Sequence, residues 1–511
     1  MKIKTLILCF CILLKFILQY TLINAGYDLH RDEYLHLDQA HHLAWGYLSV
    51  PPFTSWISYL ILSLGNSVFW VKFFPALFGT LTLLLVWKSI EALGGGIFAL
   101  LVGAFAIIFS AILRINTLFQ PNSFDVLAWT AVYFFLLKYI ITQKNQWLWY
   151  IVFIFSLGFL NKYNIVFMLI GLVPALLISE HRKVFLSTEL YLAILMGFFL
   201  ILPNLFWQYH HHFPVFYHLE LLSKIQLVNV NRIDFLKEQI LFFFNSFFVL
   251  IIAFIAFFRY QPFKKFQVFV FAFVFTLLLF VYLKAKAYYA IGLYPIFFAF
   301  GAVYIEYLLK DSWKVYVRPL VLLLIVGLFI PVIKVAFPVL SPAEIEQKAQ
   351  SFKDFDLLKW EDGENHTLPQ DFADMLGWKE LAQKVDKIYE QIPDKAHTLV
   401  LCDNYGQAGA INYYSRFKQI KAVTVNADYI NWFPALDKVI IKNIILIQNA
   451  DDDDKNREKE RPLFEAVSLE SKIDNHFARE YGTSIYYLKN AKVPINHFLK
   501  EDIEEEQKNW E

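Results

Sequence analysis

Cysteine is scarce in this chain, and the few cysteines present rule out two kinds of architecture. The 511 residues include only Cys9, Cys11 and Cys402. Cys9 and Cys11 lie in the first apolar run and Cys402 lies far from them, so their spacing fits neither a disulfide framework nor a set of zinc ligands. A small disulfide-stabilised fold and a cysteine metal site are therefore excluded.

An excess of charge of one sign is also missing. Lysine and arginine number 46 and aspartate and glutamate 45, which leaves a net charge of +1. Binding to nucleic acid depends on a basic surface, and this balance does not indicate one. The useful information about charge is therefore where the basic residues lie along the chain.

The chain is instead rich in apolar and aromatic residues. Hydrophobic residues make up 58% of it and aromatic residues 18%, with 53 phenylalanines and a mean hydropathy of +0.45. An ordinary soluble protein is less apolar than this. The composition predicts a mainly α-helical, polytopic membrane protein.

Apolar runs of spanning length divide the first part of the chain. A helix that crosses a bilayer needs about 20 apolar residues. The first run, from MKIK to about Ile23, is nearer to that length than to a signal-peptide core, which favours an uncleaved first helix over a signal peptide. With this helix the sequence predicts about eleven spans, the others at about 66–87, 97–113, 124–141, 147–160, 163–179, 187–206, 239–258, 266–283, 287–309 and 317–336.

The basic residues predict the orientation of these spans. Short loops on the cytoplasmic side carry most of the lysine and arginine. A cytoplasmic N-terminus places five short basic loops inside, which contain Lys88, Lys144, Arg182-Lys183, Arg259 with Lys264-Lys265, and Lys310 with Lys314 and Arg318. The loop after the first helix and everything after about Pro338 then lie outside, in a multi-pass protein of the inner cell membrane.

The composition changes at about Pro338 to that of a soluble sequence, which predicts a membrane domain over 1–337 and an extracytoplasmic domain over 338–511. Strand and helix patterns alternate in the second part, which favours a small α/β domain. The tail EDIEEEQKNWE is predicted to be disordered. The predicted elements are a helix at Trp378–Ile392, strands at His397–Asp403, Val439–Gln448 and Ser484–Leu488, and a turn at Asn404–Gly409 that leads into a helix ending near Tyr414.

Arg31, Asp32, Glu33 and Tyr34 form the first candidate site, directly after the first helix. A charged side chain at the depth of the lipid costs about 2.5 to 3.5 kcal/mol, so these carboxylates are expected to face a wet cavity. Either could take a proton from an acceptor hydroxyl. The same charges could instead cap a helix and pair with Arg31 in a solvated loop.

Arg114 and Asp125 form a second candidate, at the ends of two successive spans. Asp125 lies about one turn inside the membrane boundary, where an unpaired carboxylate is costly, so Arg114 is the expected partner. The pair could bind substrate or simply lock two helices together.

Lys284, Lys286, Tyr288 and Tyr289 form a third candidate, in a loop on the predicted outer face. Two lysines there break the trend of basic loops inside. An anionic ligand would explain them, because a lysine binds phosphate and stabilises charge on a phosphate leaving group. Lipid headgroups could occupy them instead.

His210 belongs to a run of three histidines that opens the long segment from Trp207 to Glu238. Consecutive residues on a helix point in different directions and rarely bind one metal ion. A contact with substrate is therefore favoured over a metal site.

Five motifs that follow the first helix resemble one family when taken in order. They are RDEYLHLDQAHHLAWGYLSVPPF, QPNSFDVLAW, LNKYN, LPNLFWQYHHHFPVF and KAYYAIGLYP. This order is similar to that of the bacterial glycosyltransferases related to protein O-mannosyltransferase and to lipid A aminoarabinose transferase, of the glycosyltransferase family 39 type. Members of the group share the GT-C fold, and many carry an extracytoplasmic domain that WKELAQKVDKIYEQIPD and DNYGQAGAINYY resemble.

The resemblance implies a transferase that uses a polyprenyl-phosphate sugar, with its active site at the outer membrane surface. Asp32, with Glu33 beside it, matches the acidic residue of the family's first loop, proposed as base or as a group that orients the acceptor, and Asp125 matches an acidic residue of the second outer loop. Lys286 and Tyr288 match the loop that approaches the carrier phosphate. The chain departs from the aminoarabinose transferases at Ser49-Val50, where they place an acidic-basic pair before Pro-Pro.

The expected function is therefore a hexosyl- or pentosyltransferase acting by inverting displacement on a lipid, glycan or protein acceptor. No cofactor is indicated, and a divalent metal stays open. The expected partners are the lipid-linked donor, the acceptor and membrane lipids. The alternative is a transporter, flippase or non-catalytic binder of a lipid-linked anion, which would use the same cations without making a bond.

Overall fold

Helices form nearly all of the chain up to Ala336. The computed structural model describes residues 3–508. Its helices in this part are α1 (Ile3–Thr21), α2 (Arg31–Asp38), α3 (Phe53–Ser63), α4 (Val68–Ala92), α5 (Ile97–Ile108), α6 (Ala111–Ile115), α7 (Asn122–Thr142), α8 (Gln146–Asn161), α9 (Ile165–Ile178), α10 (Thr188–His210), α11 (Pro214–Ile225), α12 (Arg232–Leu241), α13 (Phe247–Arg259), α14 (Gln267–Tyr282), α15 (Pro295–Leu308) and α16 (Arg318–Ala336).

The protein is a multi-pass membrane protein. Within residues 3–508, six helical segments are long and apolar enough to cross a membrane, and the number rises to nine if three bent helix pairs each count as one span. The six are α1, α4, α7, α10, Gln261–Tyr282 and Ser312–Ala336, while α3, α5 and α8 are shorter apolar helices. The predicted count of about eleven spans is therefore not confirmed.

The C-terminal part is a small domain built on one sheet. Its elements are α17 (Pro342–Gln347), α18 (Ala349–Lys353), α19 (Gln370–Ala373), α20 (Trp378–Gln391), β1 (Thr398–Cys402), α21 (Tyr405–Tyr414), β2 (Ala422–Val423), β3 (Asn443–Gln448), β4 (Phe464–Lys472), β5 (Ser484–Ala491) and α22 (Ile495–Lys508). The strands lie in the order β2-β1-β3-β5-β4. β1 is parallel to β2 and β3, whereas β5 is antiparallel to β3 and β4.

Most elements predicted for this domain are present, and one prediction is wrong. The amphipathic helix is α20, the first predicted strand is β1, and Asn404 caps α21 with its side chain. The sequence does not predict β4, because most of its residues are exposed on both faces and show no clean alternation. The tail is helical rather than disordered as far as Lys508, and Asn509 to Glu511 lie outside the described residues.

The C-terminal domain packs directly on the loop between α1 and α3, residues 22–52, called the first loop below. Buried side chains of both parts form one hydrophobic core, in which Leu29 and Tyr34 meet Trp378 and Ile411. Gly409 allows this close approach, because a Cβ atom there would lie 2.6 Å from the Cβ of Tyr34. The first loop is therefore held between the helical bundle and the sheet domain.

Backbone hydrogen bonds reinforce this junction. The amide of Asp28 donates to the carbonyl of Met375 at 2.7 Å, and the amide of Arg31 donates to that of Asp374 at 3.0 Å. The Asp28 carboxylate also forms an ion pair with Lys379 at 3.0 Å. These contacts fix the start of α2 against the C-terminal domain.

A buried ion pair fixes α2 on its other side. The Glu33 carboxylate is fully buried and lies 2.7 Å from the Nζ atom of Lys72 in α4. It also accepts hydrogen bonds from the amides of His30 and Phe119, each at 2.7 Å. A buried charge is tolerated only when it is paired and hydrogen-bonded, so each of these partners supports the others.

Replacing Lys72→Met should destabilise the fold strongly. The variant leaves the Glu33 carboxylate buried without its cation, and we expect a loss of about 3–5 kcal/mol in the free energy of unfolding. Thermal unfolding in detergent would show this as a lower melting temperature.

Lys88→Met is the matched control on the same helix. Lys88 pairs with Glu91 at 2.8 Å, but its side chain is 51% exposed, so the loss should stay below about 1 kcal/mol. The double change Lys72→Met with Glu33→Gln should recover much of the lost stability. Equal melting of the Lys72 and Lys88 variants would contradict the role given to the Glu33–Lys72 pair.

Candidate active site

Asp32 lies in the first turn of α2, where its neighbours determine its direction. The Nδ1 atom of His30 accepts a hydrogen bond from the Asp32 amide at 3.2 Å, and Glu33 accepts one from the His30 amide, which together form a capping box. The Asp32 side chain is 37% exposed, whereas that of Glu33 is fully buried. Of the two carboxylates, Asp32 is therefore the one that a substrate can reach.

Two side chains from distant segments orient the Asp32 carboxylate. The hydroxyl of Tyr405, in α21, donates to Oδ1 at 2.7 Å. The Nε2 atom of Gln120, in the turn before α7, donates to Oδ2 at 3.1 Å. Both oxygen atoms are therefore held while the carboxylate stays partly open to solvent.

The surroundings of Asp32 keep it ionised. Burial acts to raise the pKa of its carboxyl group, but the positive charge of Arg31 and the hydrogen bond from Tyr405 help to outweigh burial and hold the pKa below its ordinary value. Opposite charge and hydrogen bonding both favour the charged form of an acid. Asp32 can therefore accept a proton at neutral pH.

Glu33 has a different place from the one that the sequence suggested. The sequence put it beside Asp32 as a second catalytic carboxylate, but its oxygens already accept hydrogen bonds from Lys72, His30 and Phe119. Glu33 caps α2, as the alternative interpretation expected, but it is buried and pairs with Lys72 instead of pairing with Arg31 in a solvated loop. Glu33 holds the first turn of α2 and thereby positions Asp32.

A chain of hydrogen bonds leads from Asp32 to a lysine on another helix. Gln120 donates to Asp32 through Nε2 and accepts through Oε1 from the Nδ2 atom of Asn122 at 2.9 Å. The Oδ1 atom of Asn122 in turn accepts from the Nζ atom of Lys162 at 2.7 Å. Three polar side chains therefore connect the carboxylate to the short turn between α8 and α9.

Lys162 faces the third group of residues that the sequence singled out. Its Nζ atom lies 4.2 Å from the ring centre of Tyr289 and 5.0 Å from that of Tyr288. Lys286 lies in the same loop as these tyrosines, and the Nδ2 atom of Asn164, close to Lys162 in the chain, donates to the carbonyl of Tyr289 at 3.1 Å. The aspartate, both lysines and the two tyrosines therefore share one end of the helical bundle.

A carboxylate of the C-terminal domain pairs with Lys286. Glu361 lies 2.5 Å from its Nζ atom, and the two side chains are 43% and 17% exposed, respectively. Gln370 holds Glu361 in place by accepting a hydrogen bond from its amide at 2.8 Å. Lys286, which the sequence assigned to a phosphate, therefore has the exposed Glu361 carboxylate beside it.

The predicted partner of Arg114 is wrong. Arg114 pairs with Asp371 of the C-terminal domain at 3.2 Å. Asp125 instead accepts hydrogen bonds from Trp129 at 2.9 Å and from Asn164 at 2.8 Å. The error arose because the sequence offered Arg114 as the nearest cation along the chain, while the fold satisfies Asp125 from within α7 and from the α8–α9 turn.

The remaining predicted residues differ in their position relative to Asp32. The guanidinium of Arg31 lies 4.5 Å from the ring centre of Tyr405, beside the carboxylate. Tyr34 is buried in the shared core, where its hydroxyl meets that of Tyr414. Lys284 is half-buried at a left-handed turn with φ of 53°, and no side-chain contact described for it reaches Asp32.

His210 is exposed and lines a separate apolar surface. Its ring packs on Phe206 with 4.8 Å between ring centres. Both residues border an open groove of about 520 Å³, whose other lining residues include Trp45, Phe199, Leu202, Pro203 and Trp207. Among residues 3–508, no group of three or more His, Cys, Asp and Glu side chains is arranged to hold a metal ion.

Sequence reasoning missed several residues of this site. Lys162 was visible in the LNKYN motif, but a single lysine in a short turn carries no signal of its own. Gln120 and Asn122 are uncharged, and their role follows only from their hydrogen bonds with Asp32 and Lys162 in the folded chain. Tyr405 and Glu361 belong to the C-terminal domain, whose contact with the first loop no local pattern reveals.

Comparison with known proteins agrees with this architecture. Residues 49–207 match the family model described as dolichyl-phosphate-mannose-protein mannosyltransferase. Comparison by sequence with curated proteins gives no match. The structure of ArnT from Cupriavidus metallidurans bound to undecaprenyl phosphate superposes with a TM-score of 0.63 at 11% identity, covering 94% of this chain and 97% of that one.

The chain has the GT-C fold. The apo structure of the same ArnT also superposes, with a TM-score of 0.60 at 11% identity, covering 94% of this chain and 98% of that one. The resemblance found in the sequence is thereby confirmed at the level of the fold, and the match of residues 49–207 agrees with it. In this GT-C protein the sheet domain lies over the first loop and contributes side chains to the candidate site.

Proposed function

We propose that this protein is a glycosyltransferase that moves a sugar from a polyprenyl-phosphate donor to a lipid, glycan or protein acceptor by inverting displacement. The reaction takes place at the extracytoplasmic face of the cell membrane. The proposal rests on the hydrogen-bonded chain that joins Asp32 to Lys162, and on the contact of Lys162 with the tyrosines of the Lys286 loop, within one GT-C fold. The undecaprenyl phosphate in the similar ArnT structure supports a polyprenyl-phosphate donor.

Asp32 acts as the base in this reaction. The acceptor hydroxyl loses its proton to the ionised carboxylate as its oxygen attacks the anomeric carbon. Tyr405 and Gln120 hold the two carboxylate oxygens, so the proton acceptor keeps one orientation. A fixed orientation matters because displacement requires attack from the face opposite to the leaving group.

Lys162 and Lys286 act on the leaving group. The bond between the anomeric carbon and the phosphate oxygen breaks, and its electron pair stays with the phosphate. Negative charge then grows on that phosphate, and nearby ammonium groups stabilise it. A phosphate leaves without being protonated, so the site requires no second carboxylic acid, which agrees with the structural place of Glu33.

Glu361 must give way when a phosphate binds to Lys286. A carboxylate at 2.5 Å from Nζ and a phosphate on the same atom would repel each other. The Glu361 side chain is 43% exposed, so water can solvate it after it leaves. Glu361 thus neutralises the charge of Lys286 until the donor phosphate binds.

Replacing Asp32→Asn should remove turnover and keep donor binding. We expect the rate of transfer to fall by about 100-fold or more, because general base catalysis contributes about 10²–10⁴-fold. The measurement is release of undecaprenyl phosphate from labelled undecaprenyl-phosphate sugars by purified protein with a membrane extract as the source of acceptor.

Asp38→Asn on the same helix is the matched control. The Asp38 carboxylate accepts hydrogen bonds from Asn412 and Tyr429 at the domain junction, each at 2.7 Å. Burial raises the pKa of Asp38 to about 6, so a neutral amide should be tolerated there. Retained turnover in Asp32→Asn would exclude Asp32 as base, and a wild-type protein that binds donor without turnover would favour the transporter or non-catalytic binder.

Replacing Lys286→Gln should weaken binding of the lipid phosphate. We expect the affinity for undecaprenyl phosphate to fall by about tenfold or more, since a charge-assisted hydrogen bond is worth about 1.5–3 kcal/mol. The dependence of binding on salt should also become smaller. A titration of the protein in detergent with undecaprenyl phosphate at two salt concentrations measures both effects.

Lys284→Gln separates a specific contact from general attraction. Lys284 stands two residues earlier and carries the same charge, but within residues 3–508 its side chain forms no hydrogen bond or ion pair, whereas Lys286 pairs with Glu361. We expect its replacement to change the affinity much less. Equal losses for the two variants would mean that the loop attracts anions without a defined phosphate site.

A further inference from the structure

Tyr405 connects the C-terminal domain to the catalytic carboxylate. It is the first residue of α21 and follows Asn404, whose side chain accepts hydrogen bonds from the amides of Gly406 and Gln407 at 3.0 and 3.2 Å. This cap fixes the start of the helix. From there the Tyr405 hydroxyl reaches the Oδ1 atom of Asp32 at 2.7 Å.

The ring of Tyr405 is fixed by a second contact. The guanidinium of Arg31 lies over it, 4.5 Å from the ring centre. A cation over an aromatic face is attracted to it, and the attraction does not involve the hydroxyl group. Arg31 therefore holds the ring in place, while the hydroxyl is free to bond with Asp32.

We propose that Tyr405 is a positioning residue for Asp32, through which the C-terminal domain completes the active site of the membrane domain. The inference rests on the proposed function, in which Asp32 is the base. Tyr405 donates its hydroxyl proton to a hydrogen bond with the ionised carboxylate and holds the other lone pairs towards the acceptor. The hydroxyl keeps its proton throughout, so no proton passes through it.

Other tyrosines at the junction do not share this geometry. The Tyr413 hydroxyl, on the same helix, donates to the carbonyl of Asn66 at 2.9 Å. The Tyr429 hydroxyl donates to Asp38 at 2.7 Å. Each supports the packing of the domain, whereas the hydroxyl of Tyr405 contacts the side chain that reacts.

Removing the Tyr405 hydroxyl should make Asp32 easier to protonate. Several titratable or charged groups surround Asp32 and interact with it through their charge or through a hydrogen bond. They are His30, Arg31, His36, Asp374, Tyr288 and Tyr405. A hydrogen bond to the charged form of an acid lowers its pKa, so the pKa of Asp32 rises when this bond is lost. Asp32 can act as a base only when its carboxylate is ionised. On acidification, the variant without the Tyr405 hydroxyl should therefore lose activity at a higher pH than the wild type does.

The test compares Tyr405→Phe with Tyr413→Phe. For Tyr405→Phe we expect the acid limb of the kcat/KM profile to move up by about one pH unit. At neutral pH kcat should fall by about tenfold, with the KM for the donor unchanged. Tyr413→Phe removes one hydroxyl from the same helix and should leave both the acid limb and kcat as they are.

An infrared titration provides a readout that needs no turnover. The carboxylate band of Asp32 is assigned as the band that Asp32→Asn removes, and its midpoint should rise in Tyr405→Phe by the same amount as the acid limb. A fluorinated tyrosine at position 405 donates a stronger hydrogen bond and should move the midpoint down. This second variant keeps the ring and hydroxyl, so it remains informative if Tyr405→Phe folds poorly.

The outcomes separate this inference from the proposed function. An unshifted Asp32 band, or equal shifts in the Tyr405 and Tyr413 variants, would overturn the inference while leaving transferase activity in place. A wild-type protein without turnover would contradict the proposed function, and the infrared shift would still decide whether Tyr405 controls the protonation of Asp32.

Discussion

The hydrogen-bonded chain from Asp32 through Gln120 and Asn122 to Lys162 is the contact on which the rest of the site depends. It joins α2 to the turn before α7 and to the turn between α8 and α9. Each polar side chain in it has a partner on a different segment or in the next turn, so the contact holds these segments together. The result places the Asp32 carboxylate and the Lys162 side chain at opposite ends of one hydrogen-bonded chain.

The C-terminal domain is a part of this arrangement rather than an appendage. It shares a hydrophobic core with the first loop and supplies Tyr405 to Asp32, Glu361 to Lys286 and Asp371 to Arg114. Two of these three partners are carboxylates beside cations that a phosphate would also attract. Under the proposed function, a lipid phosphate that enters would compete with the protein's own anions, so its affinity would depend on the C-terminal domain as well as on the membrane helices.

The sequence was sufficient for the fold class, though not for the number of spans, and for part of the candidate site. Crowded charge after the first helix pointed to Asp32, and lysines against the positive-inside trend pointed to Lys286. Adjacent carboxylates could not be told apart, because only the helical turn of α2 sends Glu33 into the core and Asp32 outwards. Proximity along the sequence also suggested the wrong partner for Arg114, because its actual partner Asp371 lies far along the sequence. Contacts between domains have no periodic pattern, so Tyr405 and Glu361 could be found only in the folded chain.

The most direct test is a structure of the protein with undecaprenyl phosphate bound. If Asp32 and the lysines line one pocket, the phosphate oxygens should lie within hydrogen-bonding distance of Lys162 or Lys286. Glu361 should have moved away from Lys286. The Asp32 carboxylate should face the phosphate at a distance that leaves room for one sugar. A phosphate held elsewhere, for example beside the groove that His210 borders, with Asp32 remote from it and Glu361 still paired, would contradict the division of roles between the carboxylate and the lysines.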